Sequence, residues 1–494
     1  MTAQTILPAN TLSSGSYNVD NGIRFDGSSA YMTLTPGSAG SQKIVTFSTW
    51  IKRSQLGEGS GPADVFMMYG YAGSSSDTRL YFTGDGDAAD DRLYFQSTTS
   101  NTTHTALATN RKFRDPNAWY HIVINYNSSV SSPDTNHVEM FINGVKETSF
   151  ATETYPSQND VVYWTDDSLH TIGRRSDGGN LWYGGYMAET VMIDGQALDA
   201  DSFGEFDADT GIWKPIDVSG LTFGTNGFYL EYKGSGTSAN SSGLGADTSG
   251  NDHHFAVSGL AAIDQTTDTC TNNFATWNLL VYSPETLVFT EGNTNASSQP
   301  VGAQYHGSST LGMTSGKWYA EFKCTAANSY GYVGISANVS ETARGDRVPG
   351  YYADEYTLYS YNGKLKNNNS GATYAAAYTS NNDIIGVAVD LDNNKLYFSK
   401  NGDWANGSGG WGNSTFNAST GAVTITASNL TTEGAYFFII GDADEGTAAK
   451  FNGNFGNPSF TGTDQADGNG FGSFEYAPPS GFLALCTKNL AENG

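Results

Sequence analysis

Hydrophobic and polar residues alternate along most of this chain with the two-residue period of β-strands. The clearest example is the segment 383–404, which reads DIIGVAVDLDNNKLYFSKNGDW. Ile385, Val387 and Val389 alternate with smaller or more polar residues up to the polar run DNN, after which apolar positions resume. The pattern predicts two antiparallel strands joined by a tight turn, with a second turn at the Asn401-Gly402 pair.

A second hairpin with the same design occurs much earlier in the chain. The strand-like segment WYHIVINYN covers 119–127, and HVEMFINGV covers 137–145 and again ends in an Asn-Gly pair. A polar loop separates the two segments. The repetition predicts two β-domains with similar central hairpins.

The other alternating segments extend this picture to most of the chain. From Ile23 onward, short strand-like runs follow one another and are separated by clusters of Gly, Ser and Asp, which is the spacing of a β-sandwich. Within the first such region, only the segment 199–205 has the pattern of a helical turn. The predicted divisions are an N-terminal arm at 1–22, a β-sandwich at 23–211, a connector containing strands at 212–280, and a second β-sandwich with a C-terminal segment at 281–494.

Composition and charge exclude several kinds of partner. Only 15% of the 494 residues are charged, against roughly 25% in ordinary soluble domains. The formal net charge is −26 and no run of basic residues occurs, so we expect no nucleic-acid partner. No apolar stretch approaches the roughly 18 residues of a membrane-spanning helix, and residues 1–20 lack the pattern of a signal peptide. We therefore expect a soluble protein without membrane insertion that is not exported by the usual route.

Three cysteines, Cys270, Cys324 and Cys486, are too few and too scattered for a disulfide framework. Cys324 follows apolar alternation in WYAEFKC, which predicts a buried thiol. Cys270 and Cys486 flank the predicted second domain, so a bridge between them is an alternative if the ends of that domain adjoin. A reducing cytoplasm would oppose that bridge, and we expect two units that unfold without sensitivity to reductant.

Two ordered sets of motifs resemble known families. FDGSSAYMTL, TFSTWIKR, WYHIVINYN, VEMFINGV, HTIGRR and GGYMAETVMIDGQAL, over roughly Ile23 to Phe206, resemble the laminin-G-like, concanavalin-type jelly-roll family. GKWYAEFK, YGYVGISAN, YTLYSYNGK, the hairpin at 383–404, AYFFIIGD and KFNGNFG, over roughly Leu287 to Phe460, resemble a SPRY domain. The resemblance implies an all-β chain with two concanavalin-type antiparallel β-sandwiches in tandem and a β-rich connector. It also implies binding of carbohydrate or protein, in some members through Ca²⁺.

Two shorter segments resemble proteins encoded by tailed marine bacteriophages. These are TCTNNFATWNLL at 269–280 and LALCTKNL at 483–490. The resemblance implies a structural protein on the virion surface, made in the host cytoplasm, that acts in host attachment or in decoration of the head or tail. The expected partners are other virion proteins, reached through the arm at 1–22, and a host surface glycan or protein. We also expect a homo-oligomer.

Candidate ligand-binding residues are aromatic residues in or beside Gly- and Asn-rich loops, where exposed rings commonly contact sugars or proteins. The set comprises Trp182, Tyr183 and Tyr186 in the first domain and Tyr351, Tyr352, Trp404 and Trp411 in the second. Core packing is the alternative interpretation for each of them. If the rings of the second domain cluster at one edge, they predict a site for a neutral glycan or an apolar anchor of a partner protein.

No cofactor is expected, although calcium remains an alternative at one loop. Oxygen ligands on the Gly-rich segment GDGDAADD suit a hard cation, and the candidate ligands are Asp85, Asp87, Asp90 and Asp91. Because the spacing matches no known ligand pattern, a solvated loop is the favoured interpretation.

Catalysis has little support in the sequence, but the fold requires that it be considered. Retaining glycosidases on concanavalin-type folds place two carboxyl groups about 5 Å apart through a Glu-x-Asp-x-x-Glu strand. The nearest match here is EFDADT at 205–210, whose last position is Thr210 rather than an acid. We therefore expect no enzyme, and a glycan-degrading enzyme is the alternative.

Overall fold

The computed structural model describes residues 17–56, 65–84, 91–131, 134–176, 181–280, 287–298, 305–326, 330–337, 339, 347–443 and 449–494. These residues form two compact units, which divide between Thr271 and Asn272. Each unit contains two large β-sheets and a core of its own, and we call them the first and the second sandwich. The predicted all-β architecture of two tandem β-sandwiches is confirmed.

The strands of the first sandwich are β1 (Gly22–Asp26), β2 (Tyr31–Leu34), β3 (Ile44–Arg53), β4 (Val65–Tyr71), β5 (Asp77–Phe82), β6 (Arg92–Thr99), β7 (Thr102–Lys112), β8 (Trp119–Asn127), β9 (Val138–Ile142), β10 (Val145–Lys146), β11 (Phe150–Thr154), β12 (Leu169–Ile172), β13 (Gly184–Asp194), β14 (Gly204–Phe206), β15 (Trp213–Pro215), β16 (Phe228–Leu230), β17 (Ala256–Ser258) and β18 (Gln265–Thr266). Single 3₁₀ turns lie at Asp134–Asn136, Ala200–Ser202 and Ala262–Asp264. The second of these falls inside the helical turn predicted at 199–205.

Antiparallel pairing arranges these strands into two main sheets. Sheet A has the order β10-β9-β8-β3-β13-β1-β18, with β16 also on β13, and sheet B has the order β11-β7-β6-β5-β4-β12-β2-β17. Apolar residues of both sheets, such as Phe47 and Ile122 of sheet A and Leu80 and Phe95 of sheet B, meet in one core. Strand β6 shows why, because its alternate residues Leu93 and Phe95 are buried while Tyr94 faces outward.

The first predicted hairpin is confirmed as β8 paired with β9. The Asn143-Gly144 pair that follows joins β9 to β10, and its φ values of 49° and 77° are the left-handed conformation that a tight hairpin turn requires at both positions. A Cβ atom on Gly144 would lie 2.2 Å from the Trp213 ring, so only glycine fits there.

The predicted connector at 212–280 is not a separate region, and this boundary was wrong. Strand β16 pairs with β13, β17 with β2, and β18 with β1, so this segment extends both sheets of the first sandwich. The segment also buries the outer face of sheet A, where Trp50 and Val191 pack in one cluster with Trp213, Val218 and Phe223. Burial of apolar surface on both faces of sheet A is the physical reason that the segment docks.

The predicted N-terminal arm at 1–22 ends earlier than expected. Val19 is buried, donates its backbone N–H to Thr271 Oγ1 at 3.1 Å, and accepts hydrogen bonds from Thr269 and Thr271. Residues 17–21 therefore belong to the first sandwich, and strand β1 begins at Gly22. Residues 1–16 lie outside the described part of the chain.

The elements of the second sandwich are β19 (Leu287–Thr290), β20 (Asn295–Ser298), β21 (Tyr305–Ser308), β22 (Lys317–Cys324), β23 (Gly331–Ser336), β24 (Glu355–Tyr359), β25 (Lys364–Asn367), β26 (Ser370–Thr373), β27 (Ile384–Asp390), β28 (Lys395–Lys400), β29 (Asp403–Ala405), β30 (Trp411–Asn413), β31 (Val423–Thr424), α1 (Ser428–Glu433), β32 (Phe437–Asp442), β33 (Lys450–Asn454), β34 (Gln465–Ala466), β35 (Ser473–Phe474), β36 (Leu483–Ala484) and α2 (Thr487–Asn493).

Sheet C of this sandwich has the order β19-β20-β33-β22-β27-β28-β29-β30, with β31 on β28 and β36 parallel to β22. Sheet D has the order β21-β32-β23-β24-β25-β26. Val387 of sheet C and Ile335 and Phe438 of sheet D share the core between the sheets. The second predicted hairpin is confirmed as β27 paired with β28, followed by the turn at Asn401 and Gly402 with φ values of 50° and 83°.

The second sandwich starts at Asn272, before the boundary expected at residue 281. Its first segment pairs with its last one, because Ala275 N donates to Leu485 O at 3.0 Å and Thr487 N donates to Asn273 O at 2.9 Å. The paired residues lie in the segments 269–280 and 483–490, where Phe274 and Cys486 form an isolated β-bridge. The two separated stretches of sequence thus form one structural feature.

All three cysteines are buried free thiols. Burial raises the pKa of the Cys486 thiol to about 12, and burial also raises the pKa of Cys270. The alternative of a bridge between Cys270 and Cys486 is not what the structure shows. Neither of the helices in the described ranges is long and apolar enough to span a membrane.

Candidate functional site

The outer face of sheet C, away from the core, is covered by the C-terminal part of the chain. Tyr319 of β22 and Tyr397 of β28 point outward because their strand neighbours fill the core. Phe474, Phe482 and Ala484 pack on this outer face. We call the part of the chain that contains Phe474, Phe482 and Ala484 the covering segment.

Glu321 of β22 anchors the covering segment. Its Oε2 atom accepts hydrogen bonds from Glu475 N at 2.8 Å and Asn454 Nδ2 at 3.2 Å, and its Oε1 atom accepts from Tyr476 N at 2.8 Å and from the Tyr319 hydroxyl at 3.2 Å. Burial raises the pKa of Glu321 to about 7, although these donors lower it. A lone acid in the largely apolar strand WYAEFKC was a signal of this role that was missed.

A groove of about 800 Å³ opens beside this segment. It lies between the loop that joins β30 to β31 and residues Ser480 and Phe482 of the covering segment. The residues that line it are Lys317, Asp390, Gly412, Asn413, Ser414, Thr415, Phe416, Asn417, Ala418, Thr420, Ser480 and Phe482. We call this the sheet C groove and take it as the candidate recognition site, since its volume falls within the range of roughly 300–1,000 Å³ typical of ligand pockets.

Phe416 forms the aromatic part of the sheet C groove. Its ring centre lies 4.9 Å from Tyr397, 4.9 Å from Trp404 and 5.6 Å from Phe482, and each of these contacts is edge-to-face. The Tyr397 hydroxyl donates to Ala418 O at 3.0 Å, which ties the loop to the sheet. The Phe416 ring is therefore held in place on three sides while it remains partly exposed.

The charged residues of the sheet C groove neutralise one another. Lys317 and Asp390 are cross-strand partners on β22 and β27, and their ammonium and carboxylate groups are 3.2 Å apart. Asp390 also accepts hydrogen bonds from the backbone and side chain of Asn393. The Lys317 ammonium lies 5.9 Å from the centre of the Phe482 ring. The wall is thus polar but carries no net charge.

Trp404 and Trp411 do not cluster, so the condition for a shared site of these two rings is not met. Trp404 is 8% exposed and belongs to the outer cluster behind Phe416. Trp411 is paired with Ala405, packs against the core between the sheets, and donates its Nε1–H to Ala376 O at 3.0 Å. Successive residues of a strand face opposite sides, so the one-residue offset from Trp404 to Ala405 separates the two rings.

Tyr351 and Tyr352 lie in the turn before β24 of sheet D, whereas the groove is lined by sheet C. Their rings are 5.0 Å apart and edge-to-face, and the Arg347 guanidinium lies 4.9 Å from the Tyr351 ring centre. Both side chains are half-buried. Gly350 N and Tyr352 N donate to Glu355, which holds the turn against the sheet.

The aromatic candidates of the first sandwich are mostly structural. Tyr183 and Tyr186 have no exposed surface, and the Tyr183 hydroxyl donates to the carbonyls of Lys52 and Tyr186. Neither ring is available to a ligand, so their assignment to a binding site was wrong. Trp182 stays half-buried at the surface, where the Arg174 guanidinium lies 5.2 Å from its ring centre.

Asp91 of the calcium candidate loop has a different role from the one predicted. It is buried, and its two carboxylate oxygens accept from Arg53 at 2.9 Å and Arg114 at 2.7 Å. Two guanidinium groups therefore occupy the oxygens that a cation would need. Asp85, Asp87 and Asp90 lie outside the described residues. In the described ranges, no group of three or more His, Cys, Asp or Glu side chains is placed to hold a metal ion.

The carboxylates of the segment EFDADT form hydrogen bonds and ion pairs in and beside a turn. Asp207 accepts hydrogen bonds from Thr210 N and Thr210 Oγ1, both at 2.9 Å, and Lys214 bridges Asp207 and Glu205. The segment joins β14 to β15, so Asp207 stabilises a hairpin turn rather than a helix.

A Ser-His pair that the sequence did not reveal is also structural. Ser48 Oγ lies 2.8 Å from His121 Nε2, and Trp213 Nε1–H donates to His121 Nδ1 at 3.0 Å. Because Nδ1 accepts, Nε2 carries the proton and cannot act as a base toward Ser48. Burial lowers the pKa of His121 to about 3. The adjacent cavity has a volume of about 10 Å³, which is too small for a substrate.

Glu189 is a buried acid in the strained part of β13. It has φ of 48° at an irregularity in the pairing with β3, and its Oε2 atom accepts from the Tyr17 hydroxyl at 3.0 Å and also from the Tyr229 hydroxyl. Burial raises the pKa of Glu189 to about 7. A cavity of about 290 Å³ beside it is lined by acidic residues, by Lys233 and by neutral polar residues that include Tyr17. The acid in the middle of the largely apolar run MAETVMI was the signal in the sequence.

Comparison with known proteins identifies both domain types. Residues 26–202 match the concanavalin A-like lectin/glucanases superfamily, and residues 317–421 match the SPRY domain. The predicted domain content is therefore confirmed, and both domain types indicate a role in binding or recognition.

Solved structures with local similarity include the SPRY domain of human HERC1, at 16% identity, covering 35% of this chain and 96% of that chain with a TM-score of 0.25. They also include the native heptameric SAP-like pentraxin from Limulus polyphemus, at 14% identity, covering 37% of this chain and 80% of that chain with a TM-score of 0.27. No curated protein matches the chain.

Proposed function

We propose that this protein is a non-enzymatic recognition or decoration protein on the surface of a tailed-bacteriophage particle. The observation that carries the recognition role is the sheet C groove, which is lined by the aromatic ring of Phe416, held by its neighbours, and by polar residues without net charge. The phage assignment is supported by the resemblance of the segments 269–280 and 483–490 to phage proteins. Its ligand is a host glycan or protein, or another protein of the particle.

The chemistry of the described residues favours binding over catalysis. The nearest match to a glycosidase carboxylate motif is engaged by Lys214, and the Ser48–His121 pair has the wrong tautomer for nucleophilic attack. The aromatic ring and polar rim of the groove, in contrast, are groups that bind a ligand without changing it.

Glu189 favours a second candidate function, a glycan-degrading enzyme. A carboxyl group with pKa near 7 beside a cavity has the properties of a general acid. Incubation of the full chain with host-envelope glycans and a reducing-sugar assay distinguishes the two functions. Sugar release that disappears in the Glu189→Gln variant would replace the binding proposal with the enzyme.

The N-terminal residues provide a test of the attachment to the particle. We propose that 1–16 docks on a neighbouring virion protein, because this stretch is polar and lacks an apolar period. A chain that starts at Tyr17 keeps the buried contacts of Val19, so both sandwiches should fold normally. We expect this chain to be missing from purified particles.

The control for this truncation is the circular dichroism spectrum and melting profile of the shortened chain, which should equal those of the full chain. Normal incorporation of the shortened chain into particles would contradict the docking role of 1–16. Absence of even the full chain from particles would contradict the assignment to the virion.

A further inference from the structure

Apart from the Lys317–Asp390 ion pair, the hydrogen-bonding side chains that line the sheet C groove are neutral. Asn413, Ser414 and Thr415 contribute amide and hydroxyl groups from one side, and Ser480 contributes a hydroxyl from the other. These groups both donate and accept hydrogen bonds, as do the hydroxyl groups of a sugar. Lys317 and Asp390 add one donor group and one acceptor group of opposite charge at a separation of 3.2 Å.

Phe416 lines the groove as a partly exposed aromatic residue, and its neighbours hold its ring in a fixed orientation. The interplanar angles of Phe416 with Trp404, Tyr397 and Phe482 are 73°, 75° and 71°, so three neighbours meet this ring edge-to-face. A ring that is supported in this way loses little conformational freedom when a ligand packs on it. The apolar C–H face of a pyranose ring packs well on such a surface, while the hydroxyl groups around the sugar reach the polar rim.

The charges of the groove and of the whole chain favour a neutral ligand. The only charged side chains that line the described groove pair with each other, so an anionic or cationic ligand finds no unpaired counter-charge there. The formal net charge of −26 also repels anionic glycans at long range. A neutral ligand avoids both costs.

We propose that the sheet C groove binds a neutral oligosaccharide, with one pyranose ring stacked on Phe416 and its hydroxyl groups bonded to the rim. This inference rests on the proposed recognition function and specifies the ligand of that same site. The volume of about 800 Å³ accommodates more than a single sugar ring, which favours a chain over a monosaccharide.

The test uses the full chain and a panel of neutral and uronic-acid or sialylated oligosaccharides from bacterial envelopes, measured by calorimetry. We expect binding of a neutral member and roughly 30-fold weaker binding by the Phe416→Leu variant, on the scale of a hot-spot residue. Leucine keeps an apolar side chain of similar bulk but removes the flat face. The matched control is Tyr361→Ala, which removes a 56% exposed aromatic side chain from another part of the same sandwich.

The melting temperature of the second sandwich should be the same in the Phe416→Leu variant and in the original chain. The loss of affinity is then a local effect of the substitution. Binding of anionic members only, or equal affinity of Phe416→Leu and the original chain for the neutral sugar, would overturn the inference. If no sugar binds but Phe416→Leu still weakens attachment to host cells or to particles, the glycan assignment fails and the recognition function stands. If the original chain binds neither sugars, nor host cells, nor particles, both fail.

Discussion

Replacement of Asp91 by alanine is expected to lower the free energy of unfolding of the first sandwich by about 3–5 kcal/mol. The Arg53 side chain is fully buried and its guanidinium group has Asp91 as its ion-pair partner at 2.9 Å. Removal of the carboxylate leaves a positive charge in a low-dielectric core, where the hydrogen bond to Phe113 O at 2.6 Å and the stacking on Phe82 at 4.1 Å do not neutralise it. Urea-induced unfolding followed by fluorescence measures the change.

The matched control is Asp209→Ala, which removes an exposed carboxylate of the same sandwich and should change stability by less than about 0.5 kcal/mol. If Asp91 instead served calcium binding, chelation of calcium in the original chain would destabilise it as much as the substitution does. An Asp91→Ala variant as stable as Asp209→Ala would show that the buried ion pair contributes nothing.

The second large effect is a pH-dependent difference between the original chain and two glutamine variants. Burial raises the pKa of Glu189 and of Glu321 from 4.5 to about 7. Because the pKa is higher in the folded state, each protonated carboxyl group contributes to the free energy of unfolding. This contribution is fully present below pH 4.5 and is lost as the pH rises through 7. The change is about 3 kcal/mol for each group.

Glutamine does not titrate, so the free energy of unfolding of Glu189→Gln relative to the original chain should rise by about 3 kcal/mol from pH 4.5 to pH 7.5. The same rise is expected for Glu321→Gln. His121 and His170, whose pKa values burial lowers to about 3 and about 4, change stability in the opposite sense, but they cancel in this comparison.

Each variant is the control for the other one. Glu189→Gln should shift only the unfolding transition of the first sandwich, and Glu321→Gln only that of the second. A difference from the original chain that stays constant across this pH range, in either transition, would contradict a pKa near 7 for that group.

The strand pattern and turn residues of both central hairpins were predictable from local sequence. Alternation places Val387 in the core, and the Asn401-Gly402 pair adopts the left-handed turn that such pairs favour. These features depend on residues that are close in sequence, so a period of two and a turn signal are sufficient to define them.

Long-range pairing limited the rest of the prediction. The segment 228–266 contains no local signal that its strands pair with β13, β2 and β1, because some of these partners lie more than 240 residues away. The same limit applies to sheets that are covered on both faces. Tyr186 points away from the core of its sandwich but is covered by another segment, and alternation alone predicts exposure for such a residue.

Candidate site residues were predictable by type more than by position. Trp404 does lie behind the aromatic base of the groove, whereas Phe416, which faces the groove, was not selected. Position in a Gly- and Asn-rich loop pointed to Trp and Tyr residues, and only the fold shows which ring of an aromatic cluster reaches the surface. Glu189 and Glu321 were visible as single acids within apolar strands, and their partners are far away in sequence.

The central claim is that the sheet C groove recognises a ligand on the host envelope or on the particle. The most direct measurement is the affinity of the full chain for both surfaces, with Phe416→Ala compared with Trp411→Ala. Trp411 lies on the opposite face of the same sheet edge, so its removal is the matched control. We expect Phe416→Ala to lose about 2 kcal/mol of binding free energy at the recognised surface and Trp411→Ala to lose little. Equal affinity of the original chain and a folded Phe416→Ala variant for both surfaces would contradict the claim.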